Sequence, residues 1–496
     1  MVSTTQALER AARSTPGATA LVGDCNTTSY SELLEQVRAC AESMRSYRAN
    51  TIALLADNST DWVVADLAAQ FAGVAVVPVP GFFSLGQIHH AIRDSGAEAV
   101  LLDHSLIRIS TTLPLTRLGQ LTDRLTWFLP NIDSVPAAQH SATAKVSYTS
   151  GTTGEPKGVC LAQTAMDCVA DSLVEATQEL NLQRHLCVLP LALLLENVAG
   201  IYAPLRNGGE ICLPSLKTLG WGGGAQLDAA QLLECIASFQ PDSMIFVPQI
   251  LHSVLDLLEK GAIVPNSLKF VAVGGGYVSP TLLQRAEALG LPLYEGYGLT
   301  EAASVVAMSS PKQRRAGTVG RPLAHSNVRI GANGEVLVSG ATYCGYVGNP
   351  QPATDEIATG DVGHIDEDGL LYISGRLKSI YITSFGRNVS PEWIEAELVK
   401  QPSIAQVAVF GEARPWSTAV VVPAPGALTE DIDADVAAVN AALPDYARVG
   451  DWIAAQEIFT PVNGLLTGNG RNRRIAIWDA YRTKINARYD DVSLRA

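Results

Sequence analysis

Residues 51–79 read T-I-A-L-L-A-D-N-S-T-D-W-V-V-A-D-L-A-A-Q-F-A-G-V-A-V-V-P-V. Two short apolar runs, 51–56 and 75–79, flank a segment with helical character at 61–72. The first run ends on Asp57-Asn58-Ser59, and residues of that type stop a strand and open a helix. Short, uniformly apolar runs predict strands buried on both faces. The alternation continues outward. A helix is expected over 84–95 and a strand over 97–103. Upstream, Leu33, Leu34, Val37, Cys40, Ala41 and Met44 fall on one face of a helix over 29–47. A helix over 4–14 and a small hairpin over 18–27 precede it. Strands alternating with helices at this spacing predict parallel βαβ units and an α/β fold.

The chain has 496 residues, of which 47% are hydrophobic and 17% charged. That composition supports a large core and excludes global disorder. At about 100–200 residues per domain, two to four domains or subdomains are expected. A net charge of -14 argues against nucleic acid or an anionic membrane as the main partner. The eight cysteines make no C-x-x-C pair, so buried, reduced thiols are expected. The histidines form no H-E-x-x-H and read as structural or surface groups. Residues 1–16 lack an apolar leader. No window approaches 18 uncharged apolar residues. A cytoplasmic protein without a transmembrane segment is expected.

The most chemical stretch is V-S-Y-T-S-G-T-T-G-E-P-K-G-V-C-L, residues 146–161. A short β-type run passes into a loop rich in glycine and hydroxyls. Gly151, Gly154 and Gly158 permit tight turns and close approach of backbone N–H groups to a ligand. Thr149, Ser150, Thr152 and Thr153 add hydroxyls, and Lys157 adds a point charge. That set suits polyanionic oxygens such as those of a nucleoside triphosphate. It is not the common phosphate loop, whose Lys is followed directly by Ser or Thr.

This stretch resembles the signature of the adenylate-forming, AMP-binding superfamily, and most of all that of long-chain fatty acyl-CoA synthetases. Four further motifs follow in the family's order. Gly274-Gly275-Gly276 comes after an apolar strand, where the resemblance implies a wall of the adenine and acyl sites. Y-E-G-Y-G-L-T-E, residues 294–301, follows next. Within it Glu295, Gly296 and Gly298 fall in the nucleotide site and Tyr297 can stack on a purine. Thr300 can bond a phosphate. Glu301 can hold Mg²⁺, a hard cation that favours carboxylate and phosphate oxygens. Asp361, in an expected loop at 358–361, can take both ribose hydroxyls, and Arg376 can reach ribose or phosphate. The fifth motif, P-V-N-G-L-L-T-G-N-G-R-N-R-R at 461–474, matches a loop whose catalytic Lys in the family bridges substrate carboxylate and phosphates. Here the position falls on Arg471, or on Arg473 if the alignment shifts by two. Arginine keeps the charge but offers a fork rather than a point.

The segment L-P-L-A-L-L-L-E-N-V-A-G, residues 189–200, corresponds to the acyl pocket of the family. Leu193, Leu194, Glu196, Asn197, Gly200 and Gly274 are its expected members. The family has His where Leu193 stands and usually Arg where Asn197 stands. Relatives that activate amino acids use an Asp here, and no Asp occurs over 181–223. An apolar acid is therefore expected, with a medium or long fatty acid favoured over an aryl acid.

The expected architecture is α/β, with an N-terminal region of βαβ subdomains over 1–375 and a small mobile C-terminal domain over 376–496. Lys378 is the expected hinge, and Phe385, Gly386 and Arg387 the expected thiol channel. The resemblance implies that a carboxylic acid and ATP give acyl-AMP and pyrophosphate, with Arg471, Lys157, Thr300 and Glu301 catalytic. Coenzyme A would then take the acyl group. A stand-alone enzyme loading an acyl carrier protein, a thiol-independent β-lactone-type synthetase, and a non-catalytic adenylate-binding protein stay open as alternatives.

Overall fold

The computed structural model describes residues 2–490 apart from 132–138, 150–155, 223–226, 277, 279, 350, 352, 378–380, 383–387, 444 and 468–469. Strand Thr51–Leu55 lies between Ala75–Pro78 and Ala99–Asp103 and pairs with both in parallel. These three strands, with Lys145–Thr149, form the centre of an eight-stranded sheet. Its flanks are antiparallel, through Lys157–Leu161 on one side and Leu125–Pro130 on the other. The sheet is therefore mixed.

A second, nine-stranded sheet contains Arg184–Leu186, Ser243–Phe246, Phe270–Val273 and Leu293–Leu299 as parallel neighbours or near neighbours. The expected hairpin near the start, Thr19–Gly23 with Thr27–Ser29, forms the edge of this sheet. Helices Tyr30–Tyr47, Thr60–Ala72 and Gln163–Thr177 bury residues in one core with strand residues from both sheets, including Leu54, Leu161, Leu21 and Ile211. They lie between the two sheets. Thr60–Ala72 buries nine of its thirteen residues, as a helix apolar on all sides must. Ser59 caps its start by accepting from Trp62 N, and Gly73 ends it at φ 71°.

A polar network crosses this core. Lys145 Nζ donates to Asp66 Oδ1 at 2.6 Å, to Tyr202 Oη at 2.8 Å and to Asn197 Oδ1. Tyr202 Oη in turn donates to Asp66 Oδ2 at 2.6 Å. All four residues are buried. Isolated buried charges are costly, and this pair is compensated by bonds on every side.

A four-stranded antiparallel sheet, Ser326–Ile330, Glu335–Gly340, Glu356–Ile365 and Leu371–Arg376, follows. The segment expected as a loop at 358–361 lies inside strand Glu356–Ile365, with a register shift just after it at Val362/Gly363. The remainder is a small α/β unit. It packs helices Pro391–Leu398, Thr429–Ala442 and Arg474–Asp490 on the sheet Ile404–Phe410, Ser417–Pro423 and Val449–Ala454. Among the described residues, no helix is long and apolar enough to cross a membrane.

Candidate active site

The carboxyl ends of the strands of both large sheets face a cleft of about 2300 Å³. Thr149 and Lys157 stand opposite each other as the last pair before the loop that joins their strands, and both line the cleft. Ser150, Gly151, Thr152, Thr153 and Gly154 lie outside the described residues. Gly274, Gly275 and Gly276 form a second wall, and Gly296, Tyr297 and Gly298 a third. Gly298 has no room for a side chain, because an added Cβ would sit 1.8 Å from Ser304 O. At Gly274 an added Cβ would sit 2.9 Å from Gly296 O. Both glycines therefore allow backbone to meet backbone at the cleft floor.

Thr300 and Glu301 occupy a single 3-10 turn after strand Leu293–Leu299. The Tyr346 hydroxyl donates to Glu301 Oε1 at 2.9 Å, and Lys157 Nζ sits 6.0 Å from the centre of the Tyr346 ring. The turn is followed by Ala303 at φ 54° and Ser304 at φ 117°. Non-glycine residues pay for such angles, and that kind of strain gathers at functional sites. Tyr346 has no local signature. Only its long-range pairing with Val159 brings it here.

Asp361 is buried behind Tyr297 and Arg376. It accepts from Tyr297 Oη at 2.7 Å and pairs with Arg376 Nε at 2.9 Å. Burial raises its pKa, and the Arg376 guanidinium opposes that rise. Arg376 reaches over the cleft, with Leu377 beside it. From the small unit, Arg471 enters the cleft and donates to the Gly275 carbonyl. The neighbouring Gly470 carbonyl accepts from Gln249 Nε2 at 3.5 Å. Enclosure by the cleft walls, then the like charge of Arg376, lower the Arg471 pKa. A guanidinium keeps its proton regardless. Arg473 makes no side-chain bond among the described residues. Arg474 binds Glu395 at 2.7 Å within the small unit. Of the two alignments, Arg471 is the one that lines the cleft.

The acyl-pocket expectation needs correction. Leu193, Leu194 and Gly274 line the cleft, but Glu196, Asn197 and Gly200 do not. The chain winds as a π-helix over Asn197–Tyr202, which shifts the faces away from the ordinary helical period. Asn197 turns into the Lys145 network. Glu196 accepts from Leu189 N at 3.0 Å and bonds His185 Nε2 at 3.1 Å. Gly200 leaves space for that pair, since a Cβ there would be 2.4 Å from Glu196 Oε1. Glu295 is likewise off the cleft. It is buried, with Oε2 unbonded, and burial pushes its pKa up to about 8. Lys378, Phe385, Gly386 and Arg387 lie outside the described residues.

His185, Cys187 and Glu196 bring ligand-type atoms within 4.8 Å of one another. These atoms already satisfy each other and their surroundings. His185 Nδ1 bonds Ser243 Oγ at 3.0 Å, and the Cys187 thiol points to the Gly200 carbonyl at 3.7 Å. Burial, then Glu196, raise the thiol pKa, so it stays protonated. The cluster reads as an internal polar staple.

Known proteins share this chain's sequence families and its fold. The family model described as AMP-binding enzyme matches residues 8–347, and that of the AMP-binding enzyme C-terminal domain matches 378–493. The chain belongs to the AMP-binding enzymes. This enzyme is an AMP-forming ligase by class. It is 26% identical over 564 residues to the long-chain-fatty-acid–CoA ligase FadD15 of Mycobacterium bovis, covering 92% of each chain. It is 27% identical over 431 residues to the 2-succinylbenzoate–CoA ligase of Bacillus licheniformis, covering 82% of this enzyme and 86% of that one. Its fold is shared with O-succinylbenzoate coenzyme A synthetase from Bacillus subtilis, solved with AMP. That match has a TM-score of 0.75 at 21% identity and covers 95% of this enzyme and 97% of that chain.

Proposed function

We propose that this enzyme activates a medium- or long-chain fatty acid with ATP and passes the acyl group to coenzyme A. The observation that carries the acid class is the continuity of the nucleotide cleft with an apolar channel. Ile245, Ala272, Val174, Ala199 and Met308 all line the same cavity as Tyr297 and Glu301. Such walls bind an alkyl chain and offer no charged partner to a substrate ammonium.

In the first half-reaction a carboxylate oxygen attacks the α-phosphorus of ATP. The bond between that phosphorus and the bridging oxygen breaks, and pyrophosphate leaves. Tyr297 stacks on adenine, and Asp361 with Arg376 holds the ribose. Lys157, Thr300 and the hairpin N–H groups hold phosphate oxygens. Arg471 stabilises the charge that builds between carboxylate and α-phosphate. Fixed charges of this kind, together with positioning, are the main source of rate in such a displacement. Glu301 fits Mg²⁺, since its carboxylate lines the cleft and, among the described residues, has only Tyr346 as a side-chain hydrogen-bond partner. When bound there, the ion neutralises phosphate charge.

In the second half-reaction the thiol sulfur attacks the acyl carbon and AMP leaves, the thiol proton passing to solvent. The region over 1–375 and the domain over 376–496 rotate at Lys378 between the two steps. This withdraws Arg471 and brings Phe385, Gly386 and Arg387 to the thiol.

Pyrophosphate–ATP exchange with a panel of straight-chain and aryl acids tests the reading. Exchange with straight-chain acids of eight or more carbons is expected. Exchange with aryl acids alone overturns the acid class. AMP release that rises with coenzyme A is expected, and indifference to it favours a carrier-protein thiol or a thiol-independent product.

A further inference from the structure

The strands that floor the acyl channel run its whole length. His185, Ser243 and Phe270 are successive in-register neighbours at the amino ends of three parallel strands, and Ile245 and Ala272 form the next row. Paired residues on neighbouring strands share a face, and alternate residues along a strand repeat it. Gly274, two residues beyond Ala272, opens that face to the nucleotide cleft. From Gly274 to Phe270 the channel covers about 13 Å at ~3.3 Å per residue, which an extended chain of roughly ten carbons spans.

The far end is not a blind pocket. Gln178, Gln183 and Asn207 line the same cavity and are exposed to solvent. The walls also change character along the way. The middle is Ile245, Ala272 and Val174, whereas the last row carries His185 bonded to Ser243 at 3.0 Å. The cations near this opening are already paired, Arg184 with Glu210 at 2.7 Å and Lys269 with Asp242 at 3.6 Å.

We propose that the acyl channel is a passage open at both ends, and that it takes long acids bearing a neutral hydroxyl at the end remote from the carboxylate. This rests on the fatty-acid reading above. In a closed apolar pocket a terminal hydroxyl would be stripped of water without a partner and strongly disfavoured. Here it meets solvent or Ser243 Oγ, which keeps capacity beyond its bond to His185, whereas both ring nitrogens of His185 are already engaged. A hydroxyl at mid-chain would instead be pressed against Ile245 and Ala272.

The test compares dodecanoic, 12-hydroxydodecanoic and 6-hydroxydodecanoic acids in pyrophosphate–ATP exchange with the wild-type enzyme. The expected kcat/KM for the 12-hydroxy acid is within about threefold of dodecanoic acid, with the 6-hydroxy acid at least tenfold lower. A tenfold or greater loss with the 12-hydroxy acid, alongside good exchange with dodecanoic acid, overturns the open passage and leaves the fatty-acid reading standing. No exchange with any of the three overturns both.

Discussion

The Tyr297 hydroxyl donates to Asp361 Oδ2 at 2.7 Å while Arg376 holds the other oxygen at 2.9 Å. The carboxylate is thus aimed before any nucleotide arrives. If it takes the ribose hydroxyls, Asp361→Ala removes charge-assisted bonds of about 1.5–3 kcal/mol. The KM for ATP should rise roughly ten- to a hundredfold with a smaller change in kcat. Tyr297→Phe keeps the ring and loses only the donor, so its effect should be smaller. Initial-rate kinetics against ATP decide this, and an unchanged KM in Asp361→Ala would sink the assignment.

Arg471 reaches the cleft wall at Gly275 from the small unit. Arg471→Ala should slow adenylation by a factor on the order of 10²–10³, the usual loss for one preorganised donor at a developing charge. Thioester formation from supplied acyl-adenylate should be nearly unaffected. Arg471→Lys should restore part of the first half-reaction. Equal losses in both half-reactions would refute a role confined to adenylation.

Glu295 keeps its proton up to about pH 8, whereas its ordinary value is 4.5. Between those values the folded protein binds a proton that the unfolded chain has released. Its contribution to stability is full below about pH 4.5 and is lost as the pH climbs toward 8. The slope for one such group is at most about 1.4 kcal/mol per pH unit. Thermal melts of wild type and Glu295→Gln across pH 5–8 should diverge, with the variant losing the decline. Parallel melting curves would refute it.

Lys145 is a stability residue rather than a cleft residue. Lys145→Ala leaves Asp66 in the core without its counter-charge, at a cost of about 3–5 kcal/mol. The double change Lys145→Met with Asp66→Leu should recover most of that loss. Urea denaturation followed by tryptophan fluorescence measures both, and a neutral Lys145→Ala would contradict the network.

The fold was readable where local chemistry and burial agree. Helix Thr4–Ser14 falls on its expected bounds, and helix Thr60–Ala72 begins one residue before its own. The antiparallel flanks of the first sheet were not readable, because strand direction depends on pairing over distance. Arg471, Glu301 and Tyr297 were legible as motif residues and share one cleft. Glu196 and Asn197 were not legible, since their partners His185 and Lys145 come from distant strands and no local signal marks those bonds. Tyr346, His185 and Ser243 carry no motif and become visible only when distant strands meet.

The Lys145 network ties the two large sheets into one unit of inheritance. Lys145 belongs to one sheet, while Asn197 and Tyr202 arrive with the segment that leads into the other. A chimera joining this half to a relative's other half would keep the Lys145–Asp66 pair but take away the Asn197 and Tyr202 bonds that compensate its burial. Recombination in this family should therefore tolerate exchange of the small C-terminal unit far better than a crossover between residues 145 and 197.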